Sequence, residues 1–278
     1  MQGVKTTKYY VYRLLKLYAF WIIVNLPLVY SEFFVNIKLP ASRQWTLLVL
    51  NTLLSDTFPG SWYVTASIFS AIFVFVILRK RSTWSKILIC LPFYVVVVLA
   101  SLYARLLPQN FMLMIDNPAY FYLPTTILTG PFYFVLGEVL AKYEEVLVKQ
   151  RLSLISVGLI FSWALLDIED TFAVKNNWAF STDQSFLLAP TVFLLMIFLI
   201  KMPSFKLYGD KTIRKFSTVA YFSQFWVLAR FGATFYGMTR IQLTQPFIFG
   251  FAVLWAVALT YFLEKISQKQ ENPIKYAF

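Results

Sequence analysis

Apolar runs of about twenty residues recur along this chain, separated by short clusters of lysine and arginine, and this rhythm restricts the fold more than any other feature. A bilayer core of about 30 Å takes roughly 20 mostly apolar residues per spanning helix. Backbone groups in lipid must be satisfied within the segment itself, which makes the helix the natural answer to such runs. Eight runs have the length: about Leu14 to Phe34, Trp62 to Leu78, Ile87 to Leu107, Tyr120 to Ala141, Leu152 to Leu166, Phe186 to Met202, Phe216 to Tyr236 and Pro246 to Leu263. Only 14% of the 278 residues are charged, and no stretch is polar enough to form a soluble domain. The expected fold is all-α, a polytopic transmembrane helical bundle of about eight spans, in a single membrane domain over residues 1–278.

The formal net charge of +12 raises the question of a nucleic-acid partner, and the distribution of the charge answers it. Basic residues gather in alternate connections: Lys5, Lys8, Arg13 and Lys16; Arg79, Lys80, Arg81 and Lys86; Lys142, Lys149 and Arg151; Lys201 to Lys215; and Lys265, Lys269 and Lys275. Lys38, Arg43, Arg105, Lys175, Arg230 and Arg240 are left for the other side. Lysine and arginine mark cytoplasmic loops, so both termini are expected inside a cell inner (plasma) membrane. The partner of these cations is the lipid bilayer, where each basic residue near an anionic surface gains about 1 kcal/mol; nucleic acid is excluded. The basic and then apolar start has no small-residue cleavage site after it and reads as a retained spanning helix.

Local signals refine the picture. The periodic segment RQWTLLVLNTLLSD, Arg43 to Asp56, is too short to span and is expected on the outer surface or partway into it. Pro124 and Gly130-Pro131 predict a fourth span that is kinked or built from two pieces, with a cavity beside it. Asp167, Glu169, Asp170 and Asp183, with Trp178 and Phe180 nearby, read as a solvated outer loop with an interfacial aromatic anchor.

The chemistry available is narrow. Cys90 is the one cysteine, which excludes intrachain disulfides, and its apolar surroundings suit a small buried filler. There is no histidine, which removes the commonest general base and the usual metal ligand, and no metal is expected. Ionisable groups inside spans are functional candidates by default. Glu138, in GPFYFVLGEVLAK, falls in the cytoplasmic third of the fourth span, and Arg230, in FWVLARFG, in the outer third of the seventh. Glu138 equally suits a pair with a basic residue at the inner boundary, and Arg230 suits a side chain that snorkels outward. Arg13 and Lys16 put two cations on one helix face, a pattern that suits phosphate groups as well as plain positive-inside bias.

The order of segments adds more. YYVYRLLKLYAFWIIVNLP is a basic pair leading into an aromatic and proline-rich span; GSWYVTASIF, Ser61 to Phe69, opens the next span. Gly130 to Gly137, in GPFYFVLGEVL, has the spacing of a G-x-x-F-F-x-x-G helix, and Tyr208 to Trp226, YGDKTIRKFSTVAYFSQFW, is a basic linker entering a later span. In this order the chain resembles the acyltransferase-3 family of bacterial membrane O-acyltransferases over most of its length.

That resemblance implies transfer of an acetyl group from cytosolic acetyl-CoA to a hydroxyl of a cell-surface polysaccharide or envelope glycan. Arg13 and Lys16 then hold the donor's phosphates. Glu138 and Gln224 are the catalytic candidates, and Trp62, Tyr63, Tyr221 and Arg230 contact substrate. Such chemistry needs a base for the acceptor hydroxyl and donors for the oxyanion; Glu138 is the carboxylate placed within a span, and burial raises the pKa of a carboxylic acid. Two departures stand against the family pattern. Members usually open with two further helices that carry the catalytic histidine, so this chain reads as N-terminally shortened, with a partner chain as one source of the missing helices. The aromatic-plus-histidine position of the seventh span is Tyr221 to Gln224 here. A non-catalytic subunit for polysaccharide transport or assembly is the alternative that the missing histidine favours.

Overall fold

The computed structural model describes residues 2–58, 60–108, 125–202, 210–227 and 245–267. Every regular element among them is helical: α1 Gln2–Val24, α2 Leu26–Tyr30, α3 Ala41–Leu54, α4 Trp62–Ile72, α5 Thr83–Ser101, α6 Thr125–Lys149, α7 Leu152–Lys175, α8 Leu188–Lys201, α9 Asp210–Trp226 and α10 Gln245–Ser267. π-helical turns extend α2 over Ser31–Asn36 and α4 over Phe73–Ile77, and a 3-10 turn follows α5 at Ala104–Leu106. The all-α expectation holds.

Among the described residues, three helices are long and apolar enough to cross a bilayer: Thr83–Ser101, Leu152–Lys175 and Pro246–Ile266. A fourth crossing results if Lys5–Val24 and Leu26–Asn36, bent by 71° at Asn25, act as one span. Trp62–Ile77 and Leu188–Lys201 are apolar but shorter. The expected fourth and seventh spans fall partly on residues 120–124 and 228–236, outside the described residues. The bilayer signature is clearest on α7, where Leu154, Val157, Ile160, Phe161 and Trp163 are all exposed. A soluble helix would bury such side chains, whereas hydrocarbon solvates them.

The chain divides into two compact units, one of Met1–Lys8, Leu39–Ser55 and Trp62–Ser204, the other of Tyr9–Lys38, Asp56–Ser61 and Phe205–Phe278. In the first, α4 to α8 alternate in direction. Gly130 lies against Ala66 and Ser70, and the Phe75 and Phe134 rings are 6.0 Å apart, so α4 runs parallel to α6. Lys86 reaches Glu138 while Tyr94 stacks on Phe132 at 4.8 Å, which sets α5 antiparallel to α6. Ile155 clusters with Leu140 and Ile197, the Ser162 and Thr191 hydroxyls meet at 2.6 Å, and Ser185 donates to Asp170; α7 is therefore antiparallel to α8. The amphipathic segment before α4 forms α3, and Thr65 Oγ1 donates to the Ser55 carbonyl just beyond it at 2.7 Å.

This alternation sorts the charge. One end of the α4 to α8 bundle gathers Arg79, Lys80, Arg81, Lys86, Lys142, Lys149, Arg151 and Lys201, while the other carries Arg105 and Lys175 beside Asp167, Glu169, Asp170 and Asp183. At the basic end the Lys201 ammonium donates to the carbonyls of Val148, at 2.6 Å, and Gln150. Carbonyls at a helix C-terminus lack intrahelical partners, and a cation there satisfies them.

Two expectations are corrected. The acidic segment is no loop over Asp167 to Asp170, because α7 continues to Lys175. Glu169 is also no mere solvated charge: its carboxylate accepts from the backbone N–H groups of Phe186, at 3.0 Å, and Leu187, at 2.9 Å. The Tyr94 hydroxyl oxygen accepts from Ala189 N–H at 3.1 Å, so α8 is capped at its start by side chains from two other helices. Tyr103 donates to the same Glu169 at 3.0 Å; burial, and then the Glu169 carboxylate, pushes this phenol up to about 12. The second correction concerns the fourth span, expected to be kinked or built from two pieces: α6 passes unbroken through Gly130-Pro131, with Pro131 inside the helix, while Pro124 lies outside the described residues.

That packing depends on a missing side chain. A Cβ on Gly130 would lie 2.8 Å from the Ala66 carbonyl oxygen and closer still to Ser70 Oγ. Small residues four apart let helices approach closely where lipid supplies no hydrophobic drive. Gly130→Ala is expected to cost about 1–3 kcal/mol by overpacking, read as a lower thermal midpoint of the purified protein in lipid nanodiscs. An unchanged midpoint would show that α4 and α6 are free to separate.

Candidate functional site

The predicted site residues fall in both units. In the second unit, α1 carries Arg13 and Lys16 on successive turns, Arg13 exposed and Lys16 half-buried, with the Lys16 ammonium 4.1 Å over the Tyr12 ring. The pair lies well inside α1, because the helix starts at Gln2 and not near Leu14. Two residues further along α1, the Tyr18 hydroxyl meets Thr57 Oγ1 at 2.5 Å. The turn that holds Thr57 is itself tied down by Ser61, whose Oγ accepts from the N–H groups of Thr57, at 2.8 Å, and Phe58, at 3.2 Å. Next along the same α1 face is Trp21, fully buried and stacked on Phe222 of α9 with centroids 5.3 Å apart. Phe58 packs edge-on to Phe222 at 6.2 Å.

This aromatic contact brings the helix of the cation pair against the helix of Tyr221 and Gln224. Tyr221 is half-buried and packs edge-on to Phe222 at 5.1 Å. Gln224 is also half-buried. α9 is braced by α10 through Lys215 and Glu264 at 2.7 Å, an ion pair exposed enough to contribute little. Arg230 lies outside the described residues.

In the first unit, Glu138 is not a free carboxylate. Its Oε2 accepts from Lys86 Nζ at 2.7 Å, and its Oε1 from Thr83 Oγ1 at 3.4 Å. Lys142 reaches Thr83 in turn at 3.5 Å. Lys86 is buried, one turn into α5 and not in the loop that its sequence neighbours suggest. Ser82 fixes that turn by accepting from Ser85 N–H at 3.2 Å. These contacts tie Glu138 of α6 to the start of α5, and its side chain stays 25% exposed. Trp62 and Tyr63 open α4 with their side chains exposed, which suits contacts with other molecules or lipid headgroups.

Sequence reasoning missed several of these positions. Lys86 hid among the loop cations; the signal for it was its place within a helical turn of the apolar run that begins at Ile87. Tyr18 and Thr57 are 39 residues apart, and only folding joins them. Asn25 and Ser223 were passed over as ordinary polar residues, yet both are buried, and Asn25 Oδ1 and Ser223 Oγ have no hydrogen-bond partner among the described residues.

The family model of the acyltransferase-3 group, described as an acyltransferase domain, matches residues 2–265. No curated protein and no solved structure matches the chain. The match runs from the first turn of α1 to the end of α10 and takes in both units, so it covers the helix of the cation pair, the Gly130 contact and the α9 aromatic cluster together. The chain belongs to the acyltransferase-3 family.

Proposed function

We propose that this protein is a membrane acyltransferase subunit that handles acetyl transfer from cytosolic acetyl-CoA to a hydroxyl of a cell-surface polysaccharide or envelope glycan. The family match over residues 2–265 carries this reading. Arg13 and Lys16 bind the donor's phosphates, because an exposed guanidinium and an ammonium one turn apart offer charge-assisted hydrogen bonds to phosphate oxygens. Tyr221 and Gln224 on α9 donate hydrogen bonds near the reacting carbonyl, and Trp62, Tyr63 and Arg230 contact the acceptor. The protein threads an inner membrane about eight times with both termini in the cytoplasm, in line with the basic end of the α4 to α8 bundle facing inward.

One observation favours a second reading, a non-catalytic subunit for transport or assembly of the polysaccharide. The 278 residues hold no histidine, and Glu138 is engaged by Lys86 and Thr83. A general base must reach the acceptor proton, and in this second reading Glu138 serves to hold α6 to α5. In the first reading the base comes from a partner chain. The two readings differ in donor binding, which only the first requires.

Four measurements follow from this. In nanodiscs the protein should bind acetyl-CoA, and Arg13→Ala with Lys16→Ala should weaken binding about tenfold or more; absence of acetyl-CoA binding would leave only the scaffold reading. In vesicles loaded with labelled acetyl-CoA, these 278 residues alone should move little acetyl to a glycan acceptor, and rapid turnover would refute the need for an external base. Lys86→Met should destabilise the fold by about 3 kcal/mol, the low end for breaking a buried pair because Glu138 stays 25% exposed. Pairing it with Glu138→Leu should restore most of that loss in chemical denaturation without changing acetyl-CoA affinity. If Glu138→Gln instead lowers turnover with stability intact, Glu138 acts on substrate. For topology, in a Cys90→Ala background, an impermeant thiol reagent should label Asp183→Cys and spare Arg81→Cys on intact cells; labelling of Arg81→Cys would reverse the orientation.

A further inference from the structure

At the basic end of the first unit a shallow groove runs between α6 and α8, lined by Leu140, Glu144, Leu147, Val148, Ile197 and Ile200. Its floor is solid, because buried Leu140 and Ile197 cluster with Ile155 of α7. Its rim is open, with Glu144 and Ile200 exposed. Two charges stand at this apolar strip. Glu144 belongs to the lining and has no ion pair or hydrogen bond among the described residues. The Lys201 ammonium donates to the carbonyl of Val148, itself a lining residue, at 2.6 Å, and to that of Gln150. An ammonium has three protons to give, so one remains for a further acceptor.

Glu144 and Val148 are four residues apart on α6, on the same helix face and about 6 Å apart along the axis. A free carboxylate and an ammonium with a spare proton therefore flank one strip of hydrocarbon, about one turn apart. A groove of this kind between bilayer-facing helices takes up lipid, and basic pockets at the cytoplasmic side select among headgroups. Lys149 and Arg151, both exposed on the turn that Lys201 grips, add positive charge at the phosphate end. Glu144 adds the opposite demand.

We propose that this groove holds one phospholipid with a primary ammonium headgroup, of the phosphatidylethanolamine type. Its acyl chain lies along Leu140, Leu147, Ile197 and Ile200, its phosphate accepts from Lys201, and its ammonium donates to Glu144. Both polar contacts are charge-assisted, the strong class of hydrogen bond. The charges discriminate among common lipids. Phosphatidylcholine carries its positive charge on a quaternary nitrogen with no N–H to give. Phosphatidylglycerol offers Lys201 a phosphate but sets a net negative headgroup against Glu144. The inference concerns α6 and α8 alone and stands whether or not the second unit binds an acyl donor.

The test titrates the purified, delipidated protein with phosphatidylethanolamine, phosphatidylcholine and phosphatidylglycerol of identical acyl chains, and reads bound lipid by native mass spectrometry. Wild type should bind phosphatidylethanolamine about tenfold more tightly than the other two, the worth of one charge-assisted hydrogen bond. Glu144→Gln should bring phosphatidylethanolamine down to the level of phosphatidylcholine. Ile200→Trp should weaken all three by filling the groove. Both substitutions are at exposed positions, so the fold is expected to survive them, which an unchanged thermal midpoint checks. Equal wild-type affinity for phosphatidylethanolamine and phosphatidylcholine overturns the proposal, as does a preference that survives Glu144→Gln. Unchanged binding in Ile200→Trp places the lipid elsewhere and overturns it too. Tighter binding of phosphatidylglycerol than of phosphatidylethanolamine does the same, and assigns this end to plain attraction between basic residues and anionic lipid.

Discussion

The contact between Gly130 on α6 and the Ala66–Ser70 surface of α4 is the constraint on which the first unit depends. Lipid tails are as apolar as the side chains that they surround, so burial of leucine and valine brings helices together only weakly in a bilayer. Close backbone approach gains dispersion over many atoms instead, and it requires the absence of a side chain at the crossing. Once α6 is seated on α4, its other faces are fixed. Phe132 then meets Tyr94 at 4.8 Å, and Glu138 meets Lys86 at 2.7 Å. Tyr94 in turn reaches the start of α8. The capping of α8 by Glu169 and Tyr94 closes the same circuit from the opposite end, so a residue with no side chain organises five helices.

Much of this was legible in the sequence because hydropathy is a local property. Apolar runs near Ile87, Leu152 and Pro246 became helices of full spanning length, and the alternation of basic clusters reappears as opposite ends of the α4 to α8 bundle. The spacing of glycines from Gly130 to Gly137 marked α6 correctly, although the adjacent Pro131 suggested a break that packing against α4 prevents. Illegible were the features that depend on pairs distant in the chain. Glu138 and Lys86 are separated by 52 positions, and each alone looks like an ordinary charge near a membrane boundary. Glu169 read as loop because acidic residues usually end an apolar run, but here the helix carries them one turn further, to the backbone N–H groups that need them.

The site was legible to a lesser degree, for a related reason. Arg13, Lys16, Tyr221 and Gln224 were singled out from motif order, and the Trp21–Phe222 stack is what makes their helices neighbours. Tyr18, Thr57, Asn25 and Ser223 carry no motif. Their interest lies in whether a partner exists for each buried polar atom, a question that only three-dimensional placement can pose.

The contrast between the two units sets the terms for any mechanism. In the first, the half-buried acid at Glu138 is matched by a cation and a hydroxyl, and the helix ends at Val148 and Phe186 are matched by Lys201 and Glu169. Such satisfaction rigidifies a bundle. In the second unit Arg13 is exposed, Lys16, Tyr221 and Gln224 are half-buried, and Asn25 and Ser223 are buried. A buried polar atom without a partner costs about 1–3 kcal/mol. The difference follows from hydrogen-bond accounting: the first unit spends these polar groups on holding its helices together, while in the second Asn25 Oδ1 and Ser223 Oγ have no hydrogen-bond partner among the described residues.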